Sequence, residues 1–271
     1  MKMASDTTHI AEPLAAHTHT VIFLHGRDSN SKEFADEVFE SEASDPVNQP
    51  RTLRDLFPSV RWVFPSAPSL PSSRFGTDMS QWFDMWSVED PAEQPELQRP
   101  GLEQSIKQVL GIIEEEENLV PRERIFLAGI SQGFATVMAA FFADTRDGFA
   151  GLIGLCSWMP PLFRDQDYQS LDIAEDPRSS TEYVQQQSPI VAESSRKTPI
   201  FLSHSADDEV VPIANGRELR DIVQSRRFQV EWKEYEDGGH WINEPQGVDD
   251  IVHFMNSHMT GNRSLPLESW V

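Results

Sequence analysis

Apolar and polar positions along the chain fall into two textures. Short apolar runs of strand length occupy residues 20–24, 60–65, 124–127, 151–156 and 199–203, and glycine, proline or polar turn formers follow them. Residues 228–235 alternate apolar with polar and read as an outer strand. Between these runs the apolar positions recur at helical spacing. Phe34, Val38 and Phe39 mark a helix over 31–39, and Leu102, Ile106, Val109, Leu110 and Ile113 mark one over 101–117. Residues 134–142 are apolar on nearly every side and read as a helix packed on most faces. Leu219, Ile222 and Val223 mark another helix, and Val248, Ile251, Val252 and Met255 a last one over 246–258. Six strands alternating with helices predict an α/β fold, a mostly parallel central sheet flanked by helices. The run Glu114–Glu117 reads as the solvated face of its helix.

Three stretches escape both textures. Residues 1–19 read as a flexible N-terminal tail and 259–271 as a C-terminal one, leaving a single domain over 20–258. His17 and His19 in the first tail have no nearby acid or cysteine and read as solvent-exposed rather than metal-binding. Residues 160–197, after the strand that ends near Cys156, are polar and aperiodic and read as a long, lid-like insertion. Residues 69–100 are rich in Pro, Ser and Glu yet carry Phe75, Trp82, Phe83, Met85 and Trp86. Solvated loops do not carry so many large apolar side chains, so this stretch is expected to pack over the sheet edge as a pocket wall.

The chemistry concentrates at Gly129-Ile130-Ser131-Gln132-Gly133, between a buried strand and a helix. Strand, G-x-S-x-G, helix is a nucleophile elbow. Glycines flank the serine because only hydrogens let strand and helix approach at so sharp a turn. The turn lifts the Ser131 hydroxyl clear of the sheet and leaves the Gln132 N–H at the helix start to bind an oxyanion. A plain N-cap serine is the bland alternative, and it leaves both glycines unexplained. Acyl transfer also needs a base and an acid that orients it. His240, at a glycine turn after the outer strand, supplies the base, and Asp208 or its neighbour Asp207 the acid. A second oxyanion donor is expected just after His25-Gly26, at the Arg27 N–H. These loops all follow strands, so they converge on the carboxyl edge of the sheet, where parallel sheets keep their ligand sites.

Charge narrows the partners. Acidic residues outnumber basic ones 44 to 22, a net charge of −22, which argues against nucleic acid and against docking on anionic membranes. The single cysteine, Cys156, excludes an internal disulfide and reads as a buried, inert thiol. The first twenty residues hold no apolar signal-peptide core, and no later run reaches the ~18 apolar residues of a membrane span. A cytoplasmic protein without stable membrane insertion is therefore expected. No metal or other cofactor is called for, and the oligomeric state stays open between monomer and homodimer.

Six motifs in order give the chain a family resemblance. F-L-H-G stands at Phe23–Gly26, A-P at Ala67-Pro68 and W-F-D at Trp82-Phe83-Asp84. G-x-S-Q-G stands at Gly129–Gly133, S-W-x-P at Ser157–Pro160 and an H-x-x-x-D-x-x-V-P element at His204–Pro212. Over roughly residues 20–258 the chain resembles the phospholipase/carboxylesterase family of α/β-hydrolases, which includes the acyl-protein thioesterases. The resemblance implies a metal-independent serine hydrolase of carboxylic esters or thioesters working through an acyl-enzyme. It implies a triad of Ser131, Asp208 (rather than Asp207) and His240, and acyl-binding side chains at Trp82, Phe83, Trp158 and Trp241. The substrate would be a small acyl ester or an acylated protein. The chain departs from the pattern at Ser205, in place of a glycine, and at Phe134, where a second glycine commonly follows the elbow. Arg27 fills a position that is often leucine, and residues 160–197 are longer than usual. A pocket shortened by this segment would favour short or medium acyl esters over palmitoyl thioesters.

Two other readings compete. One keeps the mechanism and assigns a small esterified metabolite as substrate. The other is a non-catalytic binding protein on the same fold, and it requires a broken triad that this sequence does not show.

Overall fold

Period-two alternation along the buried strands sorts the core into two layers, one on each face of the sheet. In the computed structural model, which describes residues 8–144, 146, 148–164 and 195–259, the chain starts with β1 (His9–Ala11), β2 (His19–Leu24) and α1 (Ser31–Val38). The short helix α2 (Leu53–Leu56), β3 (Val60–Phe64) and the hairpin β4 (Ser69–Pro71) and β5 (Asp78–Ser80) follow. Then come α3 (Gln98–Glu117), β6 (Ile125–Ile130), α4 (Gln132–Ala143) and β7 (Gly151–Leu155). The chain closes with β8 (Ile200–Ser205), α5 (Ile213–Ser225), β9 (Val230–Tyr235) and α6 (Gln246–His258). Ile22, Leu24, Ile125, Leu127 and Leu202 point to one face and pack with α3, α4 and α5. Val21, Phe23, Phe126, Ala128 and Phe201 point to the other and pack with α1, α2 and α6.

The main sheet runs β1-β3-β2-β6-β7-β8-β9, parallel throughout except for β1. This is the α/β-hydrolase architecture expected, with every predicted strand in place. From β2 the chain steps outward to β3, then returns to build β6 on the other side, so the order reverses between β2 and β6. Such a switch point opens a crevice beyond the carboxyl ends of the two strands. Their register pairs Leu24 with Gly129, which brings the loop after Leu24 beside the turn after Ile130.

Several expectations are corrected. The supposed N-terminal tail holds β1, which pairs antiparallel with β3 (Ile10 opposite Val63). His19 is not solvent-exposed. It opens β2 at 3% exposure, and burial, with Arg124 and His17 nearby, lowers its pKa to about 4. The stretch 69–100 is no plain loop, because β4 and β5 pair within it. The Glu114–Glu117 run is a solvated face only in part: Glu114 and Glu115 are exposed, Glu116 and Glu117 are not. Glu116 is buried, accepts from Thr20 Oγ1 at 3.1 Å and pairs with Arg61 at 3.2 Å. Glu117 pairs with Arg122 and, at 2.8 Å, with Arg146. Of the lid-like insertion, residues 165–194 lie outside the described residues, as do 1–7 and 260–271 of the two expected tails.

Candidate active site

The elbow is built by close backbone packing. Ser131 sits between β6 and α4 at φ 55° and ψ −128°, a strained geometry for a residue with a side chain. Its N–H donates to Leu155 O at 2.9 Å, and its carbonyl accepts from Ser157 Oγ at 2.7 Å, so β7 and the residues after it clamp the turn. A Cβ at Gly129 would lie 2.5 Å from Phe134 N. One at Gly133 would lie 2.4 Å from Leu24 O and 2.5 Å from His25 O. These neighbours are backbone atoms and cannot swing aside. Gly133→Ala is therefore expected to cost roughly 1–3 kcal/mol, measured by denaturant unfolding. A variant as stable as wild type would remove close packing as the reason for this glycine.

The departure at Phe134 has a local explanation. A Cβ at Gly154 would lie 2.3 Å from the Phe134 ring, so the phenylalanine fills the space that a glycine on β7 vacates.

Hydrogen bonds fix the 25–27 loop against the elbow. His25 Nε2 accepts the Ala67 N–H at 3.0 Å, which leaves its proton on Nδ1, 2.7 Å from Gly26 O. The same residue's carbonyl accepts from Trp82 Nε1 at 2.8 Å. The Gln132 side chain accepts from Trp82 N at 2.9 Å and donates to Phe83 O at 2.8 Å. At Gly26 a Cβ would stand 3.5 Å from Ser131 Cβ, so Arg27 follows directly beside the nucleophile candidate. Gln132 begins α4, where a helix N–H has no partner within the helix.

The acid and base candidates meet as expected. His240 Nδ1 lies 2.7 Å from Asp208 Oδ2, while Asp207 Oδ1 accepts the Gly239 N–H at 2.9 Å. The Asp208 side chain is fully enclosed. Its Oδ1 accepts the N–H groups of Val210 and Val211, both at 2.9 Å. The buried His204 approaches with Nε2 3.2 Å from Oδ2 and 2.9 Å from Val211 O. Burial alone would raise the Asp208 pKa, but hydrogen bonds from His204 and His240 overcome it and hold the carboxyl well below the usual range. Cys156 lies close by, and its thiol pKa is raised by burial and by the Asp208 charge, as suits an inert thiol.

A cavity of about 360 Å³ opens over this edge. Ser131, His240, Trp241, Arg27, Phe34, Ile130, Phe75, Met79, Val88 and Val210 line it. Ser131 Oγ and His240 are not hydrogen-bonded to each other among the described contacts, and sites without substrate often hold this pair loosely. Of the four side chains expected to bind an acyl group, only Trp241 lines the cavity. Trp82, Phe83 and Trp158 are fully buried in the core beneath it. The Trp82 backbone and indole and the Phe83 carbonyl brace the elbow and the 25–27 loop instead, so these two residues shape the site without facing it.

The reasoning from sequence missed Ser157, His204 and the rim residues Met79 and Val210. Ser157 and His204 stand inside the motifs quoted above, but their roles there depend on contacts across the sheet. The three groups whose metal-ligating atoms converge among the described residues are Cys156, His204 and Asp208. The thiol is held protonated and the carboxylate is already saturated with donors, so the cluster suits hydrogen bonding rather than a cation.

Comparisons with known proteins place this geometry. A family model described as Phospholipase/Carboxylesterase matches residues 5–167, and one described as Prolyl oligopeptidase family matches 101–262. The two overlap at the elbow. Acyl-protein thioesterase 1 of Yarrowia lipolytica is 26% identical over 249 residues, covering 90% of this chain and 94% of the relative. Carboxylesterase SOBER1 of Arabidopsis thaliana is 29% identical over 235 residues, covering 83% and 90%. The solved structure of Zea mays acyl-protein thioesterase 2 superposes at a TM-score of 0.67 and 21% identity, covering 93% of this chain and 99% of that one. Relatives that span most of the chain thus side with the first model over the second. By that match and the motifs it contains, the chain belongs to the phospholipase/carboxylesterase family of α/β-hydrolases.

Proposed function

We propose that this ester hydrolase works as a serine enzyme, with Ser131 as nucleophile, His240 as general base and Asp208 as the orienting acid. The observation that carries the reading is the Asp208–His240 hydrogen bond, directed at a cavity whose floor is a serine on a left-handed turn. Ser131 Oγ attacks the acyl carbon and gives its proton to His240 Nε2, while Asp208 holds the ring in the Nδ1–H tautomer. The N–H groups of Gln132 and Arg27 receive the developing oxyanion. Collapse expels the alcohol or thiol, which takes the proton from His240. Water, deprotonated by the same base, then releases the acid and regenerates Ser131. A fluorophosphonate probe followed by peptide mapping tests the reading. The expected adduct is on Ser131, and an adduct on another serine, or none, would overturn it.

Small acyl esters and acylated proteins both present this bond, and a cytoplasmic location belongs to the same reading. No helix of the described residues is long and apolar enough to cross a membrane. The cavity's volume, near the lower end of ordinary ligand pockets at ~300–1,000 Å³, favours short or medium acyl groups. Each buried methylene contributes about 0.8 kcal/mol, or roughly fourfold in kcat/KM. A chain-length series of ethyl esters should therefore climb steeply and flatten well short of sixteen carbons. A continued rise to palmitate would overturn the size argument and point back to long-chain thioesters.

A further inference from the structure

Among the described residues, one cationic side chain lines the cavity. Arg27 lines it beside Ser131, and its guanidinium lies 5.4 Å from the centroid of the Phe75 ring. One nitrogen reaches Met85 O at 3.3 Å. No carboxylate lies within ion-pair distance of this guanidinium among the described residues, although the chain carries 44 acids against 22 basic residues. Arg74, whose guanidinium also lies over the Phe75 ring at 5.7 Å from its centroid, makes the contrast. Arg74 is paired with Glu89 at 3.6 Å and donates to Trp86 O at 2.8 Å. Asp28 and Glu37 also line the cavity without pairing with Arg27. A guanidinium carries five N–H donors in a planar fork matched to a carboxylate. Half-burying that fork with a single carbonyl partner leaves most of its hydrogen-bonding capacity without a protein partner among the described contacts, at a residue that lines the cavity.

Resting on the serine-hydrolase reading above, we infer that Arg27 is a specificity-determining residue and that the protein prefers esters carrying a free carboxylate, such as half-esters of short dicarboxylic acids. Beside the acidic Asp28 and Glu37, the lining includes the apolar Phe34, Ile130 and Trp241, which suit the few methylenes that separate the ester from its charged end. Burial, and then the neighbouring Arg74, lower the pKa of Arg27, and the more distant charges of Asp84, Asp28 and Glu89 offset this only in part; a bound carboxylate would favour the charged form further. A leucine at this position offers only apolar area. An arginine without a carboxylate partner inverts the preference.

Matched esters provide the test. Proton release gives kcat/KM for ethyl hydrogen glutarate, with the carboxylate on the acyl side, and for O-pentanoylglycolate, with it on the alcohol side. Ethyl pentanoate serves as the neutral reference. In Arg27→Leu the ratio of charged to neutral kcat/KM should fall about tenfold or more, mainly through KM, and Arg27→Lys should restore part of it. The arm that falls tells which side of the ester Arg27 holds. Free glutarate should also slow fluorophosphonate labelling of wild type but not of Arg27→Leu. Ratios unchanged in both arms would overturn the inference while leaving the hydrolase intact. Failure of wild type to cleave any of the three, or to take the probe, would instead remove the reading on which the inference rests.

Discussion

Ser131→Ala should abolish fluorophosphonate labelling and lower kcat by roughly 10³-fold or more, with the fold unchanged. The size of the loss follows from what the hydroxyl does: without it no acyl-enzyme forms, and only water attack assisted by the oxyanion donors remains. The backbone that presents the residue does not depend on the hydroxyl. The Ser131 N–H is held by Leu155 O and its carbonyl by Ser157 Oγ, and neither contact involves the side chain. Unfolding curves of variant and wild type should therefore coincide, and alanine at the positive φ costs no more than serine. KM should change little, since the cavity walls that hold the acyl group are untouched. A variant that keeps most of its turnover, or is labelled as before, would place the nucleophile elsewhere.

The strands and the elbow were legible because their signals are local. Buried parallel strands read as apolar runs, and the glycines of the elbow answer to backbone atoms within a few residues or on the adjacent strand. Asp208 was distinguishable from Asp207 only through its spacing to Val211-Pro212, and the structure supplies the reason: Val210 and Val211 donate to Asp208 from that very segment. What failed to be legible was the direction of aromatic side chains. Composition marked Trp82 and Phe83 as apolar groups near the site, and they are near it. Whether they face a ligand or the core depends on which partners their backbone meets. Here the Gln132 amide and the His25 carbonyl, far off in sequence, turn them inward. Burial of Glu116 was hidden for the same reason, because its partners Thr20 and Arg61 lie on two other strands.

Asp208→Asn should reduce kcat by two to four orders of magnitude, on the order of the ~10⁴-fold known for the equivalent change in a related constellation, while Asp207→Asn changes it little. In the proposed triad the carboxylate accepts from His240 Nδ1, which leaves Nε2 to serve as the base. An asparagine amide can satisfy the ring by donating to Nδ1 instead, which puts the imidazole proton on Nε2 and removes the base. Asp207 has no such influence, because it accepts the Gly239 N–H and serves the turn. Stability should show a separate signature. The folded-state pKa of Asp208 lies below its ordinary value, so ionised Asp208 contributes stability above about pH 4. That contribution fades as pH falls from there toward the depressed folded value. The stability gap between wild type and Asp208→Asn should therefore be widest near neutrality and narrow in acid, as measured by denaturant unfolding across pH. Equal losses of turnover from both substitutions, or a larger one from Asp207→Asn, would shift the orienting role by one residue and break the proposed triad at its acid.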